Sequence, residues 1–227
     1  MQLTSPSEVA AMIVEPVQGE GGFHQLTPSF AKALRDICDE HGIVLIFDEV
    51  QCGFGRTGTL FASEQLGVEP DLMTAAKSMA GGFPISALIG RADIMDAPQV
   101  GGLGGTYAGS PLGTVAALEV IKIINKENLL QKSKDIGDKM ANFLASLNSP
   151  AISHIRHKGA MLAFDLIDED GNPDVDATNA LKKHAFEHGL LLASCGTHFN
   201  TIRVMMPLTI QDDIFDEALS IIGQFFD

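Results

Sequence analysis

The sequence predicts an α/β fold: a mostly parallel sheet with helices against it, followed by a small C-terminal α+β domain. Three observations carry that expectation. Apolar runs alternate with amphipathic helical stretches through the first half, as βα units require. Several of the apolar runs end on a charged residue. Beyond about residue 128 the pattern changes to shorter strands set between helices, so a boundary is expected between residues 1–127 and 128–227.

Taken in order, "VAAMIVEP" (9–16) reads as a strand stopped by its proline. Residues 27–42 read as a helix with Thr27 as N-cap, Pro28 in the first turn and Gly42 as its stop. "IVLIFDEV" (43–50) is apolar enough for a strand buried on both faces. A short helix is expected over 61–67 and another buried strand over 71–77, closed by Lys77. "ISALIG" (85–90) follows too soon for a helical crossover, so it should run antiparallel. A glycine-rich loop, "GGLGGTYAGSP" (101–111), then leads to helices over 113–130 and 129–147. The remainder predicts strands near 152–157, 160–167, 190–193 and 201–205, and helices near 174–188 and 210–226. Thr209 and Asp212 suggest a variant capping box at the last of these.

Composition narrows the function. A net charge of −14 in 227 residues argues against a nucleic-acid binder and against a polybasic membrane anchor. No apolar run approaches a membrane span, and the first residues lack the basic-then-apolar build of a signal peptide. Cys38, Cys52 and Cys195 are odd in number and widely spaced, which suggests neither disulfides nor a zinc set, and a reducing cytoplasm is expected. His184 and His188 share a helix face, but no third ligand accompanies them, so no metal is expected.

In an open parallel sheet, ligands bind at the carboxyl ends of strands. Glu15, Asp48 and Lys77 stand at such predicted ends, and Arg203 lies on a late strand. Singly, each has a structural reading, as a turn cap or as a long side chain reaching the surface. An aspartate and a lysine closing neighbouring strands instead suit catalysis with an aldehyde cofactor. A desolvated lysine attacks a carbonyl, and a carboxylate facing a pyridine nitrogen keeps it protonated. Ala75, Ala76, Ser78 and Ala80 would leave room for a flat ring, and Gly81-Gly82 would let the backbone turn beside it.

Four segments, "VEPVQGEGG" (14–22), "LIFDEVQCGFGRTG" (45–58), "PDLMTAAKSMAGGFP" (70–84) and "GGTYAGSP" (104–111), in this order and spacing, resemble the class III pyridoxal-phosphate-dependent aminotransferases. Within the class the likeness is greatest to enzymes acting on 4-aminobutyrate. The resemblance implies the aspartate-aminotransferase-like fold, fold type I, with residues 1–127 as the C-terminal part of its large domain. It implies pyridoxal 5′-phosphate held as a Schiff base to Lys77, with Asp48 at the pyridine nitrogen, Val50 against the ring and Gln51 on the phenolic oxygen. Thr106 resembles the threonine that reaches the phosphate of the other subunit in a homodimer with a shared active site. Glu20 and Arg203 resemble the pair that sorts an ω-amino donor from the α-carboxylate of glutamate or 2-oxoglutarate.

The family's N-terminal portion, with its phosphate cup and ring-stacking aromatic residue, has no counterpart ahead of residue 14, so the chain is expected to be a fragment. Three readings follow: transamination of 4-aminobutyrate or a similar ω-amino acid, an aminomutase of the same fold, or a non-catalytic remnant. The Glu20–Arg203 pair speaks against the aminomutase, which has no second dicarboxylate substrate.

Overall fold

A computed structural model describes residues 4–226. They form two compact units. The first comprises residues up to Val17 together with Leu26–Gly55 and Thr59–Asn128, and the second comprises Gln18–Gln25, Arg56–Gly58 and the residues from Leu129 onward.

The first unit is built on four strands, β1 (Ala11–Val14), β2 (Val44–Asp48), β3 (Leu72–Ala75) and β4 (Ala87–Gly90), ordered β1-β2-β3-β4. The first two pairings are parallel and the third is antiparallel, as the short spacing before β4 requires. Helix α1 (Pro28–His41) joins β1 to β2. Thr27 Oγ1 accepts the Phe30 amide at 3.2 Å to start it, and Gly42 ends it in the left-handed conformation at φ 67°. The helix lays Ala31 and Cys38 against Leu45 and Phe47 of β2, with Ile43 and Leu66 completing the core.

Because α1 packs on one side only, β2 alternates: Leu45 and Phe47 are buried, whereas Val44, Ile46 and Asp48 remain half-buried. The strand is therefore not sealed on both faces as its apolar run suggests. Asp48 stands at the end of the half-open face. Two short elements escape the sequence reading, a 3-10 turn at Pro6–Glu8 and helix α2 (Ala92–Met95). Helix α3 (Pro111–Lys126) stops earlier than expected, because Asn128 takes a left-handed conformation (φ 52°) that ends one helix and admits the next.

In the second unit β5 (Ile152–Lys158), β6 (Met161–Leu166), β7 (Ala193–Cys195) and β8 (Thr201–Val204) form an antiparallel sheet ordered β5-β6-β8-β7. Helices α4 (Leu129–Ser146), α5 (Val175–Glu187) and α6 (Asp212–Gly223) belong to the same unit. Its core includes Met140, Leu144, Leu162, Phe164, Leu181, Ile202 and Ile222. Gly137 is required where α4 meets the β5–β6 turn: a Cβ there would stand 2.0 Å from the Gly159 carbonyl oxygen.

Two local expectations fail. Strand β7 begins three residues late, because the Leu190 amide closes the end of α5 on the Ala185 carbonyl around Gly189 (φ 87°). The capping box at Thr209 does not form. The Ile210 amide instead closes a turn on Pro207, and Gln211 precedes α6 without a side-chain cap. Asp212 and Asp213 in the first turn complement the helix dipole there.

At the amino ends of β2 and β3, Asp71 is almost fully buried and both of its oxygens are engaged. Oδ2 accepts the Leu45 amide at 2.8 Å and Arg35 at 2.9 Å, and Oδ1 accepts Arg91 at 2.8 Å. Burial alone would raise its carboxyl, but these donors outweigh burial and hold it below the ordinary aspartate range. A depressed carboxyl stabilises the fold fully above the unfolded value of about 4 and loses that contribution as pH falls through the folded value. Asp71→Asn should therefore cost about 3 kcal/mol at neutral pH, the scale for breaking a buried ion pair. In denaturant unfolding from pH 7 down to pH 2, the wild-type advantage over this variant is expected to vanish on acidification.

Candidate active site

The carboxyl edge of the parallel strands gathers the polar residues of the first unit. Asp48 is the last residue of β2 and is register-paired with Thr74 of β3. Its Oδ1 accepts two hydrogen bonds at 3.0 Å, one from the Val50 amide and one from Thr74 Oγ1. Oδ2 takes no hydrogen bond among the described residues.

The segment after Asp48 is pinned by Glu49. Its side chain is completely buried and accepts the Ala62 amide at 3.0 Å and the Ser63 amide at 2.7 Å, at the start of the 3-10 turn Ala62–Gln65. The Gly53 amide returns to the Glu49 carbonyl at 2.9 Å. A Cβ at Gly53 would lie 2.8 Å from that same oxygen, so the turn needs a glycine. Val50 is half-buried, and Gln51 is buried with its side-chain oxygen Oε1 unpartnered. Cys52 is buried beside Glu49. Burial first, and the Glu49 carboxylate second, push its thiol well above the ordinary range, which makes it a poor nucleophile.

Lys77 departs from its expected setting. Strand β3 ends at Ala75, and Lys77 opens a 3-10 turn, Lys77–Ala80, at φ 45°. Its side chain is exposed rather than interior. Beyond β3 the chain reverses into the antiparallel β4, and Gly81 (φ 59°) and Gly82 (φ 113°) continue the turn. A lysine in the left-handed region is backbone strain of the kind that collects at functional sites. Lys77 and Asp48 thus both lie at the carboxyl edge of neighbouring parallel strands. Thr106 is exposed on its glycine-rich loop, where side chains at Gly104 and Gly105 would meet nothing within 4 Å.

The second unit carries the other predicted pair. An Arg203 guanidinium nitrogen donates to Glu20 Oε1, with Arg203 on β8 largely buried and Glu20 exposed in the 18–25 loop. Arg203 lies in register between Ala163 and Ala193, whose small side chains leave its length unobstructed. The loop is moored twice: Gly196 donates its amide to the Glu20 carbonyl at 2.9 Å, and Arg156 Nε donates to the Gly22 carbonyl at 2.7 Å. Arg156 is itself held by Asp165 at 2.9 Å. Burial would raise the Asp165 carboxyl, but Arg156, Thr201 and His154 outweigh it and keep it below the ordinary range. Burial raises the Cys195 thiol, with Arg203 opposing.

Sequence reading missed Glu49, Thr74 and Arg156. The doubled acid in "DEV" is a visible signal for Glu49, whereas the other two emerge only from strand register. His184 and His188 stack with ring centroids 4.3 Å apart, and His184 Nε2 lies 3.1 Å from the Ile221 carbonyl oxygen. Among the described residues no cluster of three or more metal-binding side chains occurs.

Comparison with known proteins gives a consistent result. The family model for aminotransferase class III matches residues 1–226. The chain is 53% identical to the 4-aminobutyrate aminotransferase GabT of Escherichia coli, over 98% of this chain and 53% of that protein. It is 48% identical to the 5-aminovalerate aminotransferase DavT of Pseudomonas aeruginosa, over 98% of this chain and 53% of that protein. A structure of the ornithine aminotransferase of Toxoplasma gondii, with partial occupancy of PLP at its active site, superposes with a TM-score of 0.86 at 33% identity. That match covers 97% of this chain and 51% of that one. The chain thus spans about half the length of the curated relatives it matches.

Glu49→Gln tests the pinning of the Asp48–Gln51 segment. The new amide group would confront two backbone donors with a donor of its own, at a cost of about 2 kcal/mol. Denaturant unfolding should register that loss, and hydrogen exchange at the Ala62 and Ser63 amides should accelerate.

Proposed function

The chain belongs to the class III aminotransferases, and from that premise we propose that it serves the transamination of an ω-amino acid, with 4-aminobutyrate as donor and 2-oxoglutarate as acceptor. Succinate semialdehyde and glutamate are the products. The observation that carries this reading is Asp48, fixed through one oxygen at the end of β2 while its other oxygen is left without a partner.

The residues of the first unit fit pyridoxal 5′-phosphate. Asp48 Oδ2 suits a protonated ring nitrogen, and the side-chain N–H of buried Gln51 is a donor of the kind the phenolic oxygen would accept. Val50 offers an apolar edge for the ring, and Lys77 Nζ is an amine free to hold the aldehyde carbon covalently. Thr106 offers a hydroxyl for a phosphate, and we assign it to the phosphate of a partner subunit in a homodimer. When bound, the cofactor supplies an electron sink for the bond broken at the carbon bearing the amino group.

The chain's own groups do the rest. Lys77 Nζ, once released by substrate, takes the proton from that carbon and returns it on the product side. Arg203 binds a carboxylate by its planar fork of donors. Glu20 occupies Arg203 while the ω-amino donor is bound and leaves it when an α-carboxylate arrives. Three unpaired cysteines suit the cytoplasm we assign to it, and no described helix is long and apolar enough to cross a membrane.

Titration of the protein carrying this chain with pyridoxal phosphate should develop the absorption band of a lysine-bound cofactor, and Lys77→Ala should abolish it. Glutamate should form from 4-aminobutyrate and 2-oxoglutarate; a protein that binds the cofactor yet forms none refutes the substrate assignment. Glu20→Ala should lower kcat/KM for 4-aminobutyrate by about tenfold, on the order of 1.4 kcal/mol, while the 2-oxoglutarate half-reaction stays within about threefold. Equal losses in both half-reactions would refute the switching role.

A further inference from the structure

We infer that Thr74 is a positioning residue, which aims the Asp48 carboxylate so that Oδ2 faces the cofactor nitrogen. The inference rests on the role proposed above for Asp48 and adds a second residue to it.

The geometry comes from strand register. Asp48 and Thr74 are direct partners across the parallel β2–β3 pair, so their side chains stand on the same face of the sheet. That face is the half-open one, and both residues are half-buried on it. Thr74 Oγ1 donates to Asp48 Oδ1 at 3.0 Å, and the Val50 amide donates to the same oxygen at 3.0 Å. With the backbone amide alone, the carboxylate plane could swing about that one hydrogen bond. Two donors converging on one oxygen from different strands, one a side chain of β3 and one the backbone following β2, restrict that swing. Oδ2 is left with no donor among the described residues. The β-branched Thr74 is also stiff at χ1, so its hydroxyl is presented at little entropic cost.

A structural role alone would need only a strand-forming residue of this shape, which valine also supplies. The hydroxyl is what distinguishes the two. Thr74→Val, Thr74→Ser, Asp48→Asn and the double variant Asp48→Asn/Thr74→Val, each in the protein carrying this chain, separate the possibilities. The readouts are the equilibrium dissociation constant for pyridoxal phosphate and the unfolding temperature of the cofactor-free protein.

Thr74→Val should weaken cofactor binding on the order of tenfold, with the unfolding temperature within about 3 °C of wild type. Thr74→Ser, which restores the donor, should bind within about threefold of wild type. In the Asp48→Asn background, adding Thr74→Val should change affinity by less than about twofold, because its effect acts through the carboxylate. If Thr74→Val does not fold, Thr74→Ala takes its place in the same comparison.

Wild-type affinity in Thr74→Val, alongside a loss in Asp48→Asn, overturns this inference and leaves Asp48 in its role. The inference falls in the same way if Thr74→Val weakens Asp48→Asn as much as it weakens wild type. Unaltered binding by Asp48→Asn, or no binding by wild type, overturns the role of Asp48 and this inference with it.

Discussion

The first unit depends on one strand pairing, β2 beside β3 in parallel register. Parallel strands share a polarity, so one edge collects their amino ends and the other their carboxyl ends. An aspartate stands at each edge. At the amino edge, Asp71 gives its amide to the Leu45 carbonyl and takes the Leu45 amide on its side chain, both at 2.8 Å. Arg35 of α1 and Arg91 beyond β4 converge on it, so that one carboxylate joins a helix and three strands. At the carboxyl edge, Asp48 is held just as locally but is left incomplete. The sheet is thus rigid at one edge and carries a carboxylate oxygen without a donor among the described residues at the other, an arrangement that suits the site we propose.

The second unit solves a different problem, the placing of one cation on a strand and one anion on a loop. Arg203 is fixed by its backbone, since β8 is paired on both sides. Glu20 is on a loop of eight residues, Gln18–Gln25, that contains no strand or helix long enough to hold it. Its backbone is instead moored by Gly196 and by Arg156, whose partner Asp165 lies on β6. The mooring acts on the main chain and leaves the Glu20 side chain exposed. The switching role proposed for Glu20 would need that division, a fixed backbone with an exposed side chain.

What the sequence makes legible follows from how local the signal is. Thr27 and Gly42 bound α1 as expected, because capping acts within a few residues. The antiparallel course of β4 follows from chain length alone. Lys77 stands out by its surroundings in the sequence, but its exposure does not, because apolar neighbours in sequence need not be neighbours in space. Ala75 and Ala80 are buried while Lys77 between them is turned outward. Thr209 fails as a cap because a competing turn on Pro207 claims that stretch. Thr74 and Arg156 are not legible at all: their partners lie 26 residues away at Asp48 and 134 away at Gly22, and only the registered sheets bring them together.

A simple distinction separates Asp71, Glu49 and Asp165 from Asp48, for which we propose the cofactor nitrogen as partner. A carboxylate has two oxygens, and burying one without donors is costly. Asp71 has donors on both oxygens, and so does Glu49. Asp165 likewise has Arg156 and Thr201 on Oδ1 and His154 beside Oδ2. Each is complete within its own unit and has nothing left to bind with. Asp48 has two donors, as many as Glu49, yet both fall on the same oxygen. The difference is therefore one of distribution, not of number. A fold that merely needed to satisfy a strand-end carboxylate would share two donors between two oxygens, as Glu49 does one residue later. Crowding both onto Oδ1 satisfies and orients one half of the group and keeps the other in reserve, on the half-open face of β2, at the edge where Lys77 also lies.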